Sequence, residues 1–192
     1  ADAKADVVMS MDASSADRLG RVLATARDAE VFIAVDHHAS FEPFADVNLC
    51  DAGQPATGML ALDLIDVLGV ELTADIATCL YAAISSDTGS FKYPATTPAA
   101  MRAGARLMET GIDFAGIARA MFDTRSQSYI ALQAAVMQDL RIQRVDGLAV
   151  AVARAPKNLR DRWQVPFTDV ESLIDAVRTV EGIDVAVVLK ED

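Results

Sequence analysis

The sequence predicts an α/β fold, in which a parallel sheet with flanking helices is followed by part of a smaller α+β domain. Two apolar runs, residues 6–12 and 31–35, are separated by an amphipathic segment at residues 16–28, an order typical of a strand–helix–strand unit. Helical periodicity dominates residues 56–121. Beyond residue 128 the pattern changes to alternating strands joined by a tight turn, which indicates a second domain of strands and helices.

The first strand–helix–strand unit is predicted from its apolar pattern. Residues 31–35 form a continuous apolar run, as expected for a strand buried in a parallel sheet. Ser14 or Ser15 can cap the preceding helix. That helix has one apolar face, made by Leu19, Val22, Leu23 and Ala26. After a loop, we expect a further short strand at residues 47–50.

The middle of the chain predicts a series of helices. Gly69 ends a helix that begins near residue 56, and Thr73 caps the next one. Pro98 occupies the first position of a third helix, which ends at Gly111, and a short helix covers residues 113–121. The side chains expected to face the core from the second and third of these helices are Ile76, Leu80, Ile84, Met101, Ala105 and Met108.

The last third of the chain follows a polar break at residues 122–128. It predicts a helix at 128–138 and a hairpin whose strands, 140–145 and 148–152, are joined by Asp146-Gly147. Thr168 and Glu171 match a capping box at the start of another helix. A final strand is expected at residues 183–189.

Composition and charge exclude several classes of function. With 52% hydrophobic residues the chain can bury a proper core, and its net charge of −11 argues against binding to duplex nucleic acid or to an anionic membrane. No stretch approaches the roughly 20 apolar residues of a membrane span. Cys50 and Cys79 lie far apart, so we expect buried, reduced thiols and a cytoplasmic protein. The chain begins at Ala1 without a methionine, and we expect it to be a piece of a longer protein.

Charged and imidazole side chains follow the predicted strands. Asp12 ends the first strand, and Asp36-His37-His38 follows the next, so these groups should meet at the carboxyl edge of the sheet. Asp87 follows an apolar helix that should direct it inward. Carboxylates with imidazole and without thiolate favour Mn²⁺ or Mg²⁺ over a structural Zn²⁺. Each Asp taken alone is more often a cap or turn residue than a ligand.

Two motifs together resemble a known family. Asp36-His-His, preceded by a strand ending in Asp12 and followed by Ser86-Asp-Thr-Gly-Ser-Phe-Lys-Tyr93, is similar to the DHH superfamily of phosphoesterases. The Asp-Thr-Gly-x-Phe form of the second motif resembles the branch that holds the oligoribonucleases known as nanoRNases. The resemblance implies that residues 1–121 are a DHH catalytic domain lacking its N-terminal part. It implies that residues 128–192 begin a DHHA1 substrate-binding domain.

The resemblance also implies roles for the candidate residues. Asp12, His37 and Asp87 would bind metal, with two Mn²⁺ ions expected and Mg²⁺ as the alternative. His38 would contact the scissile phosphate, and Asp36 would orient an imidazole. Two metals about 3.5–4 Å apart could activate water for attack on phosphorus. Thr88 and Ser90 could hydrogen-bond the site. The aromatic rings of the second motif could stack on a base, although core packing is the stronger interpretation.

The implied activity is hydrolysis of short oligoribonucleotides to 5′-mononucleotides and removal of the 3′-phosphate from 3′-phosphoadenosine 5′-phosphate. Three alternatives remain open: a phosphodiesterase for cyclic di-AMP or its linear product pApA, a non-catalytic nucleotide-binding module, and a pyrophosphatase. A homodimer is also left open. The family's earlier His and Asp motif and its GGGH segment are absent from these 192 residues. We therefore expect the chain alone to bind metal weakly and to turn over slowly.

Overall fold

The computed structural model describes residues 5–191 and confirms the α/β prediction. By contacts the chain separates into two compact units between Asp123 and Thr124. The assignment of residues 1–121 and 128–192 to DHH and DHHA1 domains stays a prediction, and its outer ends lie outside the described residues. Among the described residues, no helix combines the length and the apolar character that crossing a membrane requires.

The first unit contains a three-stranded parallel sheet. Its strands are β1 (Val7–Met11), β2 (Val31–Asp36) and β3 (Val47–Cys50), and they lie side by side in that order. Five helices accompany them: α1 (Val22–Arg27), α2 (Thr57–Leu68), α3 (Ala74–Asp87), α4 (Pro98–Met108) and α5 (Phe114–Ala118). Because all three strands run in one direction, their carboxyl ends share one edge of the sheet.

Helix packing supplies the main apolar core of this unit. Buried side chains of α2, α3 and α4 form one cluster, which includes Leu62, Leu80, Ile84, Ala103 and Leu107. Gly58, the second residue of α2, lies so close to α3 that an added Cβ would be 3.1 Å from both Ala83 Cβ and Ile84 Cγ1. The start of α2 is therefore held beside the end of α3, and this places two parts of the candidate site next to each other.

The second unit is a smaller α+β arrangement. Its sheet has the order β4 (Arg141–Val145), β5 (Leu148–Ala155) and β6 (Val185–Lys190), with an antiparallel β4–β5 pair and a parallel β5–β6 pair. The helices are α6 (Gln127–Gln138), α7 (Lys157–Trp163) and α8 (Leu173–Val177). Alternate residues of β5 are small and buried, namely Ala149, Ala151, Ala153 and Ala155, and these small side chains let the helices pack closely on the sheet.

Three local predictions are wrong. The helix expected at residues 16–28 is divided into a 3₁₀ turn, Ala16–Leu19, and α1, because Gly20 between them adopts φ 51°. Neither Ser14 nor Ser15 caps it, since the residue before the 3₁₀ turn, Ser15, makes no side-chain capping bond. The capping box is absent because Pro166 sets the start of a 3₁₀ segment, and the Thr168 hydroxyl donates to Asp169 Oδ1 instead.

Other predictions about burial and helix content are also wrong. Cys50 and Cys79 are both exposed, Cys50 because it lies on β3, every residue of which is exposed. Met101, Ala105 and Met108, all expected to face the core, are exposed. The buried face of α4 is formed instead by Ala100, Ala103, Gly104 and Leu107, and Gly104 lies directly against the Phe91 ring. Helix α7 is absent from the sequence prediction, because its seven residues carry only two large apolar side chains.

Candidate functional site

The carboxyl edge of the first sheet brings together the side chains that the sequence singled out. Asp12 follows β1, and its backbone amide still donates to Val35 O at 3.0 Å, so the two strand ends stay paired up to this residue. Asp12 then adopts φ 63°, a left-handed conformation that turns the chain away from the sheet. Its side chain is half-exposed at this edge.

His37 occupies the centre of the site. Its Nε2 atom is 3.6 Å from Asp12 Oδ1 and 3.5 Å from Asp87 Oδ2. The predicted convergence of these three residues is therefore observed, although their roles as metal ligands stay a prediction. Asp12, His37 and His38 each offer one donor atom, and these three atoms all lie within 4.8 Å of one another. Asp87 lies next to this group, because its Oδ2 atom is close to His37 Nε2.

A backbone carbonyl fixes the tautomer of His37. Its Nδ1 atom is 3.1 Å from Gln54 O, and a carbonyl can only accept a hydrogen bond. Nδ1 therefore carries the proton, and in the neutral ring Nε2 presents a lone pair toward two carboxylate oxygens. That arrangement is repulsive without a cation between them. Two donors about 2.1 Å from one ion stand roughly 3 Å apart or slightly more, so a divalent cation fits this donor set.

Asp36 is fully buried and organises the histidine pair. Its Oδ1 atom accepts hydrogen bonds from the His37 backbone amide at 2.7 Å, the His38 backbone amide at 3.3 Å and His38 Nδ1 at 2.7 Å. Burial acts to raise the pKa of Asp36, but these hydrogen bonds outweigh it and leave the pKa below its usual value. The predicted orientation of an imidazole by Asp36 matches this geometry, and the imidazole is that of His38.

His38 is the more exposed of the two rings. The hydrogen bond to Asp36, followed by the charges of Asp36, Asp12 and Asp87, raises the pKa of His38 against the opposing effect of burial. Because Nδ1 donates to Asp36, Nε2 is the nitrogen that remains for a ligand. His38 is thus an imidazole held through Nδ1 at the rim of the site.

Asp87 reaches the site from the last turn of α3. The pKa of Asp87 is raised, mainly by burial and to a smaller extent by the charge of Asp12, while His37 and His38 act to lower it. Two carboxylates that approach the same imidazole disfavour each other's charge, which a cation would relieve. The electrostatics of Asp87 therefore agree with the fit of a cation deduced from His37.

The turn directly after Asp87 has an unusual backbone. Gly89, Ser90 and Phe91 have consecutive positive φ angles of 55°, 58° and 60°. The buried Thr88 hydroxyl donates to Ile84 O at 2.6 Å and accepts from the Phe91 amide at 3.1 Å. Its hydroxyl supports the turn, whereas we had expected it to hydrogen-bond the site. No described contact links the side chain of Ser90 to the site.

The Phe91 ring packs in the core of the unit. Its centroid is 5.9 Å from that of Tyr81, and the ring lies against Gly104 of α4. For Phe91 the structure therefore shows core packing, the stronger of the two sequence interpretations. The Tyr93 ring covers Gly89, where an added Cβ would be 2.3 Å from two ring atoms.

Two contacts at the site were absent from the sequence prediction. The Thr57 hydroxyl donates to Asp12 Oδ1 at 2.9 Å, and Gln54 O accepts from His37. Gln54 belongs to the turn that leads into α2, and Thr57 is the first residue of that helix. The only sequence signal for this turn was its density of Gly, Pro and polar residues, which does not specify partners.

The comparisons with known proteins agree with this geometry. No family model matches the chain. It is 34% identical over 160 residues to the bifunctional oligoribonuclease and PAP phosphatase NrnA of Thermus thermophilus, covering 83% of this chain and 47% of that protein. The motifs and this relative decide the family. The chain belongs to the DHH superfamily.

Two further comparisons describe this DHH chain. It is 32% identical over 112 residues to the "Probable bifunctional oligoribonuclease and PAP phosphatase NrnA" of Streptococcus mutans, covering 58% of this chain and 36% of that protein. Its fold matches an exopolyphosphatase-related protein from Bacteroides fragilis with a TM-score of 0.89 at 22% identity, over 100% of this chain and 56% of that one. The DHH chain thus spans about half the length of proteins that it resembles, or less.

Proposed function

We propose that the full-length protein is a metal-dependent phosphoesterase that hydrolyses short oligoribonucleotides and removes the 3′-phosphate of 3′-phosphoadenosine 5′-phosphate. The observation that carries the proposal is the position of His37 Nε2, 3.6 Å from Asp12 Oδ1 and 3.5 Å from Asp87 Oδ2. The names of the Thermus and Streptococcus relatives support the substrate class.

Asp12, His37 and Asp87 would hold divalent cations, with Mn²⁺ as the expected ion. Bound cations would supply an activated water and neutralise charge on the phosphoryl group. Without them the two carboxylates would repel a phosphate. The donor set contains only carboxylate oxygens and imidazole nitrogens, which supports Mn²⁺ or Mg²⁺ over thiolate-bound zinc.

His38 would donate a hydrogen bond from Nε2 to an oxygen of the scissile phosphate. Its ring is fixed at the other nitrogen, because Nδ1 donates to Asp36 Oδ1 at 2.7 Å. Asp36 would be a positioning residue, because its Oδ1 atom accepts from this ring and from the backbone amides of His37 and His38. A donor held in place before substrate arrives needs no reorganisation during the reaction.

The charge of the chain supports a short substrate. A net charge of −11 offers no broad basic surface for a long nucleic acid, whereas one or two phosphates can be held by cations at the carboxylate cluster. Cyclic di-AMP and pApA carry the same kind of phosphodiester. They are therefore the competing substrates in the test.

The test measures hydrolysis by the full-length protein with Mn²⁺ and with excess chelator. We expect release of 5′-mononucleotides from two- to five-nucleotide RNAs and of phosphate from 3′-phosphoadenosine 5′-phosphate, both abolished by the chelator. Initial rates on cyclic di-AMP and pApA rank the alternatives. Full activity in chelator would overturn the proposed mechanism, and Mn²⁺ binding without hydrolysis of any substrate would favour a nucleotide-binding module.

Two variants and one matched control test the residues. Asp87→Ala and His38→Ala should each lower the rate by at least about 100-fold, because a ligand or a phosphate contact is lost. Asp75→Ala removes an exposed carboxylate from the first turn of the same helix, α3, and should leave the rate nearly unchanged. Equal rates for Asp87→Ala and Asp75→Ala would contradict the role of Asp87.

A further inference from the structure

One hydroxyl outside the DHH and Asp-Thr-Gly motifs contacts the candidate site directly. Thr57 Oγ1 donates to Asp12 Oδ1 at 2.9 Å. Asp12 Oδ1 also lies 3.6 Å from His37 Nε2 and 3.8 Å from His38 Nδ1. Thr57 is buried, with 4% of its surface exposed. A buried hydroxyl therefore joins the first residue of α2 to the carboxylate at the end of β1.

Local helix stability does not explain this hydroxyl. The residue that precedes α2 is Ala56, and no side chain caps the helix start. A polar side chain near the start of a helix usually bonds a free backbone amide of the first turn. Thr57 instead directs its hydroxyl to a residue 45 positions earlier in the sequence.

Asp12 depends on an outside contact for its orientation. Its backbone is in the left-handed region and its side chain is half-exposed, so the chain around it does not pack the carboxylate into one rotamer. The start of α2 and the turn before it supply contacts to both strand-end residues: Thr57 to Asp12 and, three residues earlier, Gln54 O to His37. One segment thus orients two of the candidate ligands.

Backbone packing fixes the position of Thr57 independently of its side chain. Gly58 places the start of α2 against Ala83 and Ile84 of α3, so closely that an added Cβ would lie 3.1 Å from a side-chain carbon of each. A change at Thr57 that keeps its shape therefore leaves the helix start in place and removes only the hydrogen bond.

We propose that Thr57 is a positioning residue, whose hydroxyl orients the Asp12 carboxylate for cation binding. This inference rests on the proposed function, because it requires that Asp12 ligates a metal. A hydroxyl that donates to a ligating carboxylate restricts its rotamer and shares its negative charge, and loss of such a contact typically lowers metal affinity.

The test is a titration of the purified protein with Mn²⁺ alone, followed by the loss of the free-ion electron paramagnetic resonance signal. Thr57→Val keeps the branched shape and should weaken Mn²⁺ affinity by about 10- to 100-fold. Thr57→Ser restores the hydroxyl and should remain within about threefold of the wild type. Thr78→Val removes an exposed hydroxyl that bonds only Ala74 O on α3, and should leave the affinity unchanged.

Circular dichroism checks that each variant is folded. If Thr57→Val does not fold, Thr57→Ala, which adds no branched methyl group, replaces it in the same comparison. In an Asp12→Ala background, which lacks the oxygen that accepts from Thr57, the Thr57 substitution should cause no further loss in the Mn²⁺ affinity that remains. A further loss there would overturn the role of Thr57.

The outcomes separate the inference from the proposed function. If the wild type binds Mn²⁺ and Thr57→Val binds it with equal affinity, the role of Thr57 is overturned and the metal site stands. No Mn²⁺ binding by the wild type would overturn the metal site and, with it, the role of Thr57. A loss in Thr57→Val that Thr57→Ser fails to restore would assign the effect to packing and would also overturn the inference.

Discussion

The two sides of the candidate site are held by different means. On the strand side, each side chain has a hydrogen-bond partner: Thr57 for Asp12, Gln54 O for His37 and Asp36 for His38. On the helix side, Asp87 is the last residue of α3 and is followed directly by a tight turn whose Gly89 is covered by the Tyr93 ring. We infer that the strand side is sensitive to the loss of polar atoms, whereas the helix side is sensitive to added volume.

The turn after Asp87 shows why volume matters there. Three successive residues have positive φ, and only the first is glycine. The buried hydroxyl of Thr88 and the Phe91 ring, packed on Tyr81, oppose the cost of this backbone. Because the Tyr93 ring covers Gly89, the turn has no space for a side chain at that position.

The largest expected effect is that of Gly89→Ala. The new Cβ would meet the Tyr93 ring at 2.3 Å on a backbone with φ 55°, so both overpacking and backbone strain apply. We expect a loss of about 2–4 kcal/mol in the free energy of unfolding. Urea denaturation followed by circular dichroism measures it.

Gly69→Ala is the matched control for this prediction. Gly69 ends α2 with φ 66°, and an added Cβ there would have nothing within 4 Å. It should cost only about 1–2 kcal/mol, which is the backbone contribution alone. Equal losses of unfolding free energy in the two variants would mean that Tyr93 moves aside freely. The inference that the helix side is sensitive to added volume would then be wrong.

An intermediate effect is expected for Asp36→Asn on the strand side. The amide keeps the shape of the side chain but lacks its charge and can present an NH₂ group to His38 Nδ1, which itself donates. The hydrolysis rate of the full-length protein should fall by about 10- to 100-fold. Steady-state kinetics measures this rate, and denaturation should show a smaller change in stability than Gly89→Ala. A rate near that of the wild type would contradict the role of Asp36 in orienting His38.

The smallest effect is expected at the ion pair that links α2 to α4. The two terminal guanidinium nitrogens of Arg106 each donate to an oxygen of the Asp66 carboxylate at 2.6 Å, and the side chains are about half-exposed. Solvent screens such pairs, so Asp66→Asn should lower Tm by no more than about 2 °C. The hydrolysis rate of the full-length protein should be nearly unchanged in this variant. A large loss of activity would show that the two sides of the site are coupled through these helices.

The pH dependence of this ion pair has a defined sign. The hydrogen bond from Arg106 lowers the pKa of Asp66 below that of the unfolded chain. The stabilisation that the ion pair contributes is therefore present above the pKa of Asp66 in the unfolded chain. It is lost as the pH falls through the pKa of Asp66 in the folded protein. The difference in Tm between wild type and Asp66→Asn should be full at neutral pH and should disappear in acid. A difference that grew on acidification would contradict this assignment.

The sequence was sufficient for the elements that depend on short-range patterns. The parallel strands were predictable from their apolar runs, and the meeting of Asp12 and His37 follows because parallel strands end at one edge. The cap at Thr73, whose side chain accepts from an amide of its own helix, is similarly local. Asp87 was placed by the order and spacing of two motifs.

The contacts that the sequence could not predict are those between distant elements. Gln54 acts through a carbonyl, which every residue possesses, so its identity gives no signal. Thr57 resembles any polar residue at a helix start until its partner, Asp12, is known. The exposure of Met101 follows from the approach of Phe91 to α4, which depends on the turn after Asp87 and not on the periodicity of α4 itself.

The donors of the site come from three separate segments, the ends of β1, β2 and α3. An unfolded chain cannot gather them, so an ion held there would bind the folded form alone and would add to its resistance against heat. Divalent ion supply would then govern not only turnover but also how long the protein survives proteolysis.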